Sequence, residues 1–133
     1  MKAISTTIEP WLSVRDSAKA VDFYKRAFEA TELFKLEDPD NAVVARLAIG
    51  GASFWLSDES PEYENYSPQS TAGKNTVRII LTVTDPEAVV ANAVLAGAIL
   101  LCAVKEDNGW LVGRIADPFG HHWEIGRPVD AED

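Results

Sequence analysis

Along this chain apolar and polar residues alternate in short runs, and two longer runs break the alternation with helical spacing. Residues 8–14 read as a strand with Ile8, Leu12 and Val14 on one face and Glu9, Trp11 and Ser13 on the other. Pro10 confines that strand to a sheet edge or a strand start. Asp16 stands as an N-cap for a helix over 17–30, where Ala20, Val21, Tyr24, Ala27 and Phe28 form an apolar stripe. Strands are expected over 32–37, 43–49 and 52–57. The turn cluster Asp38-Pro39-Asp40-Asn41 joins the first two, and Gly50-Gly51 leads into the third.

Residues 58–76 shift to Ser, Pro, Glu, Tyr, Gln and Gly without apolar periodicity, and read as a plain linker loop, the alternative being a lid whose Tyr63 and Tyr66 cover a pocket. The pattern then repeats. A strand over 77–83 is followed by Asp85-Pro86, an N-cap with Pro in the first helical turn. The helix over 86–96 turns Val90, Ala93 and Val94 to its apolar side and stops at Gly97. Three strands follow, over 99–104, 111–116 and 121–125, and 128–133 form an acidic tail. Val14-Arg15-Asp16 and Val83-Thr84-Asp85 differ by 69 positions, Ala45-Arg46-Leu47 and Gly113-Arg114-Ile115 by 68, and Trp55 and Glu124 by 69. An offset that drifts by one residue marks an internal duplication, two strand–helix–three-strand modules over 7–57 and 77–127 of one 1–133 domain.

A length of 133 residues suits a single domain, and 47% apolar content is ordinary for a globular one. The net charge of −9 argues against nucleic acid or an anionic membrane as partner. No apolar run approaches the ~18 residues of a membrane span, and residues 1–14 lack a signal-peptide pattern, so a cytoplasmic location is expected. The single Cys102, inside the apolar run 99–104, reads as a buried core thiol.

The densest chemistry lies in Asp117-Pro118-Phe119-Gly120-His121-His122-Trp123-Glu124-Ile125, a tight turn feeding a strand. Strand alternation sends His122 and Glu124 to one face and His121, Trp123 and Ile125 to the other. An imidazole and a carboxylate on one face suit either a metal or acid–base work. Trp123 is expected in the core, and Trp110 on a cleft rim or a subunit contact.

The paired modules, with VRDSAKAVDFYKRAFEA after the first strand and DPFGHHWEI closing the second, resemble the vicinal oxygen chelate superfamily over roughly residues 7–127. That superfamily comprises glyoxalase, bleomycin-resistance and extradiol dioxygenase proteins. The resemblance implies an α+β fold in which two βαβββ modules form a curled mixed sheet around a cleft. In its metal enzymes each of four equivalent strand positions carries a ligand, and here these fall on Glu9, Trp55, Arg78 and Glu124. Trp offers no lone pair, and Arg is a fixed cation with donors only. Within ~4 Å of a dication that Arg would repel it by roughly 8 kcal/mol at an effective dielectric near 20. Arg78 is instead expected to pair with both Glu9 and Glu124, or to grip an anionic ligand. These departures from the ligand pattern lead to the expectation of a metal-independent, bleomycin-resistance-like protein without cofactor, and the resemblance implies a homodimer that completes its cleft across two chains. Its small-molecule site would comprise Glu9, Trp11, Ser13, Trp55, Arg78, Ile80, His122 and Glu124, the indoles stacking on an aromatic or amphipathic compound. One alternative is a metal-dependent lyase, isomerase or dioxygenase with Mn²⁺, Ni²⁺, Fe²⁺ or Zn²⁺ on Glu9, His122 and Glu124. Another is a protein that serves only structural contacts.

Overall fold

Two four-stranded sheets with one helix each make up the fold, as a computed structural model of residues 1–130 describes it. The elements are β1 (Trp11–Val14), α1 (Ser17–Phe28), β2 (Thr31–Glu37), β3 (Val43–Ile49), β4 (Ala52–Asp58), β5 (Ile79–Thr82), α2 (Pro86–Ala96), β6 (Ile99–Asp107), β7 (Trp110–Ala116) and β8 (His122–Pro128). Each helix is a crossover that carries the chain to the far sheet edge, from which two antiparallel strands return. The first sheet therefore runs β1-β4-β3-β2 and the second β5-β8-β7-β6, with β1 parallel to β4 and β5 parallel to β8. The sheets are two separate mixed sheets rather than one curled sheet. Among the described residues no helix is long and apolar enough to cross a membrane.

The caps follow from side-chain chemistry. Asp16 accepts from the Lys19 N–H at 3.1 Å and Asp85 from the Ala88 N–H at 3.2 Å, satisfying donors that the first helical turn leaves free. Gly97 closes α2 with φ +125°. β1 and β5 are shorter than the alternation suggests and begin only after Glu9-Pro10 and Arg78. Pro10 lacks an N–H, yet its carbonyl accepts from Trp55 at 2.8 Å, so the chain is already docked on β4 ahead of β1. Ile8, expected on the same face as Leu12 and Val14, precedes this docking and is exposed. Pro128 belongs to β8, so the tail begins later than expected, and 131–133 lie outside the described residues.

One face of each sheet is covered by its helix, and α1 also packs on α2. Leu12, Val14, Ala45, Leu47, Phe54 and Leu56 turn inward from the first sheet, and Leu81, Ile115, Trp123 and Ile125 from the second. The α1 stripe is buried in full, with Phe23 added to it; on α2, Val90 and Ala93 are buried but Val94 is exposed. Cys102 is also exposed, against expectation. It lies on the edge strand β6, whose pairing shifts on either side of it and whose open face no described residue covers, so an apolar run there is not a buried run.

The modules are joined by aromatic rings around one carboxylate. Tyr24 lies 5.6 Å and Phe28 4.8 Å from Trp123, centroid to centroid, and Phe23 meets Phe119 edge-on at 6.1 Å. Asp117, only 2% exposed, accepts from Phe119 N–H (2.9 Å), His121 N–H (3.0 Å), Trp123 Nε1 (2.9 Å) and Tyr24 Oη (2.5 Å). Burial above all, then the charge of Asp117 and its hydrogen bond, raises the Tyr24 phenol well above its ordinary value, so it stays a neutral donor. Gly120 leaves the turn at φ +95°, and a Cβ there would come within 2.8 Å of Pro68. Tyr24→Phe removes one donor from this buried anion and is expected to cost on the order of 1.5–3 kcal/mol in urea unfolding. A loss below about 0.5 kcal/mol would mean that the other three donors suffice.

Candidate functional site

The uncovered faces carry the polar and aromatic side chains that strand alternation sends away from the helices. On the first sheet Arg46 of β3 stands opposite Trp55 of β4. Arg46 grips Glu9 with two parallel bonds, Nε to Oε1 at 2.9 Å and Nη2 to Oε2 at 2.6 Å, and Trp55 Nε1 donates to the same carboxylate at 2.9 Å. The Arg46 hydrogen bond, opposed by partial burial and helped by the Arg46 charge and the indole, holds Glu9 below its ordinary pKa. Trp55 stacks on Trp11 with centroids 5.3 Å apart and planes 6° from parallel, and Phe34 of β2 leans on it at 5.9 Å. The Arg46 guanidinium carbon lies 5.8 Å from the Trp55 ring centroid. Trp11 is fixed at its far edge by Nε1 donating to Ser57 Oγ at 3.0 Å, yet remains 53% exposed.

The second sheet repeats the geometry with different side chains. Arg114 of β7 stands opposite Glu124 of β8 and donates from Nη2 to Oε1 at 2.6 Å, while Arg78 brings Nε to 2.9 Å from the same oxygen. Beside them a hollow of about 360 Å³ is lined by Ile80, Asp107, Trp110, Val112, Glu124 and Gly126. A groove of about 440 Å³ includes Glu9, Arg46, Ser53 and Ile80 and so brings both modules together. A third hollow of about 360 Å³ lies between Trp11, Tyr66, Lys74 and His121.

Of the residues expected in one cleft, Glu9, Trp11, Ser13 and Trp55 lie on or beside the open face of the first sheet, and Arg78, Ile80, His122 and Glu124 on or beside that of the second. Arg78 does not bridge Glu9 and Glu124; each carboxylate has its own cation. Arg46 and Arg114, which supply the tightest contacts, were not among the expected site residues. Their signal was present, since they occupy equivalent places in the repeat and share face parity with open-face neighbours. His122 opens β8, half-buried, whereas His121 turns away and places Nε2 2.8 Å from the Ser13 carbonyl. The 58–76 segment is laced rather than loose. Glu59 accepts from Ser67 N–H at 2.9 Å and Ser70 Oγ at 2.8 Å, and Arg15 reaches the Gln69 carbonyl at 3.2 Å. Tyr66 lines the hollow beside Trp11, and Tyr63 is exposed.

A glyoxalase-like domain family matches residues 9–126, most of the chain. The chain belongs to the glyoxalase-like domain family. It is 41% identical over 132 residues to Mb0911c of Mycobacterium bovis, covering 95% of this chain and 86% of that protein. The solved structure of the Arabidopsis thaliana At5g48480 gene product is 30% identical, with TM-score 0.66 over 93% of this chain and 98% of that one. TnmS3, an antibiotic binding protein from Streptomyces sp. CB03234, shares the fold at 22% identity, with TM-score 0.71 over 96% of this chain and 99% of that one.

The side chains at the four places where metal ligands were expected are poor donors. Trp55 and Arg78 supply no lone pair, both oxygens of Glu9 accept from Arg46, and Glu124 Oε1 accepts from Arg114 with the Arg78 cation beside it. No three His, Cys, Asp or Glu side chains among the described residues converge as a metal-holding group. This donor set does not fit a divalent cation.

Glu9 and Glu59 share a pH signature. The Ser67 N–H above all, opposed by partial burial, with the Ser70 hydroxyl and Arg15 adding to it, lowers Glu59 as Arg46 lowers Glu9. Both are held below 4.5, so below that pH the unfolded chain binds more protons than the folded one. Stability from these pairs is complete above about pH 4.5 and falls as acid titrates the folded carboxylates. Urea unfolding over a pH series is expected to show this decline, and Glu9→Gln to flatten it; an unchanged slope in Glu9→Gln counts against the Arg46 pairing.

Proposed function

We propose that this glyoxalase-like domain binds a flat aromatic or amphipathic organic molecule without a metal ion. The observation that carries the reading is the Trp11–Trp55 pair, parallel within 6°, with Trp11 left half open to solvent. Two indoles held by Ser57 and Glu9 form a rigid platform, so a ring that stacks on it orders few side chains. Arg46, Arg78 and the carboxylates fix polar groups at the edge of such a ligand. The occupation of ligand positions by Trp55 and Arg78 supports binding over metal chemistry, and the antibiotic-binding relative TnmS3 is a precedent for the fold in that role.

The partner that completes the site in this reading is a second copy of the chain. Phe34 and Leu36 on one open face and Ile80 and Trp110 on the other are exposed, as are Ile4 and Ile8 ahead of β1. Apolar area of that kind is what association between copies covers. A homodimer with one module of each chain facing the other encloses both faces.

Titrating polycyclic aromatic compounds against intrinsic tryptophan emission is expected to give saturable quenching, weakened about tenfold in Trp11→Ala. A broad panel that leaves the emission untouched rejects an open aromatic site. Elemental analysis of protein purified without chelators is expected to find no stoichiometric transition metal, and one ion per chain would reverse the ranking of binder over metalloenzyme. Light scattering after size exclusion is expected to return twice the chain mass; a persistent monomer removes the shared cleft.

A further inference from the structure

We infer that the ligand is an aromatic anion whose carboxylate or phenolate is held by Arg78; this rests on the reading of the open faces as a small-molecule site. The two modules differ in how their charges close. In the first, Arg46 and Glu9 satisfy each other with two parallel bonds and the Trp55 indole takes a further lone pair. In the second, the repeat puts Arg78 where Glu9 stands and Glu124 where Trp55 stands. Two guanidiniums, Arg78 and Arg114, therefore approach one oxygen of one carboxylate, Glu124 Oε1.

Arg114 answers that oxygen with a directed hydrogen bond. Arg78 does not. It is in ion-pair contact through Nε, donates no hydrogen bond among the described residues, and its side chain is 57% exposed. A guanidinium carries five N–H donors in a planar fork, so Arg78 offers a site for a planar anion that Glu124 does not fill. The excess cation is local, on a chain whose overall charge is −9.

Beyond Glu124, which Arg78 contacts, the open face is largely apolar. Ile80, two residues on, pairs in register with Glu124, and both line the 360 Å³ hollow with Trp110, Val112 and Gly126. A Cβ at Gly126 would collide with the Leu111 carbonyl, which keeps that wall flat. Glu124, already in contact with Arg78, and Asp107 are the two carboxylates that line the hollow, and Lys105 lies two residues from Asp107 on the same edge strand. An anionic group at Arg78 thus leaves the attached ring over Ile80 at the Glu124 end of the hollow, while Asp107 and its cross-strand partner Trp110 lie farther along, level with Pro128.

The test compares 2-naphthoate with neutral 2-naphthamide by tryptophan quenching or calorimetry in wild type and Arg78→Gln. Naphthoate is expected to bind wild type about tenfold more tightly, the worth of a charge-assisted bidentate contact. Added salt should shrink the preference, and Arg78→Gln should bring naphthoate to the affinity of naphthamide. Equal affinity of the two probes for wild type overturns the inference while leaving the aromatic site standing. A preference that persists in Arg78→Gln overturns the assignment to Arg78. Absence of binding by either probe rejects the aromatic site and this inference with it. The wild-type comparison holds even if the variant folds poorly.

Discussion

A carboxylate almost wholly out of water is tolerated only if donors surround it, and Asp117 meets that condition with four. Two come from the backbone of its own turn, one from β8 and one from α1 of the other module. Each donor to an ionised group is worth on the order of 1.5–3 kcal/mol, and removing a donor leaves part of the anion unsatisfied. The turn, the last strand and the first helix are therefore one unit. Trp123 must point to the helices to reach Asp117, and with a strand period of two Glu124 must then point to the open face. The core constraint thus aims the functional side chain.

The open faces show how a duplicated backbone is reused. Cross-strand register places Arg46 opposite Trp55 and Arg114 opposite Glu124, so a long cation reaches over its neighbour in both modules. What it meets differs. In the first sheet the cation closes on Glu9 and the indole is left to stack, with Trp11 and Phe34 beside it. In the second the carboxylate itself occupies the indole's place and a second arginine stands where Glu9 would be. One face is thereby largely neutral and aromatic, the other cationic and bordered by apolar side chains. Pairing with arginine also sets these glutamates apart from free metal ligands: both oxygens of Glu9 and Oε1 of Glu124 already face guanidinium N–H groups.

Much of the architecture was legible from local rules. Asp16, Asp85 and Gly97 mark helix ends because capping is decided within a few residues, and the 68-to-69-residue offset exposes the duplication whatever its packing. Period-two alternation sorted Trp11, Ser13, Trp55 and Glu124 from Leu12, Val14 and Trp123, since a strand side chain has only two directions available. Even the two missed arginines lay at matching places in the repeat.

Tertiary structure decided what depends on neighbours distant in sequence. Whether the apolar run around Cys102 is buried turns on β6 being an edge strand with an uncovered face, which no local pattern reveals. Which cation reaches Glu9 turns on register: a pairing shifted by one residue would send Arg46 to the helix side and leave that carboxylate to another partner. The chain by itself set the elements, their order and the face each side chain takes, because those follow from backbone geometry and near neighbours. Who meets whom across the strands was left to the fold, because an ion pair or a ring stack is fixed by distances of a few ångströms between segments that only packing brings together.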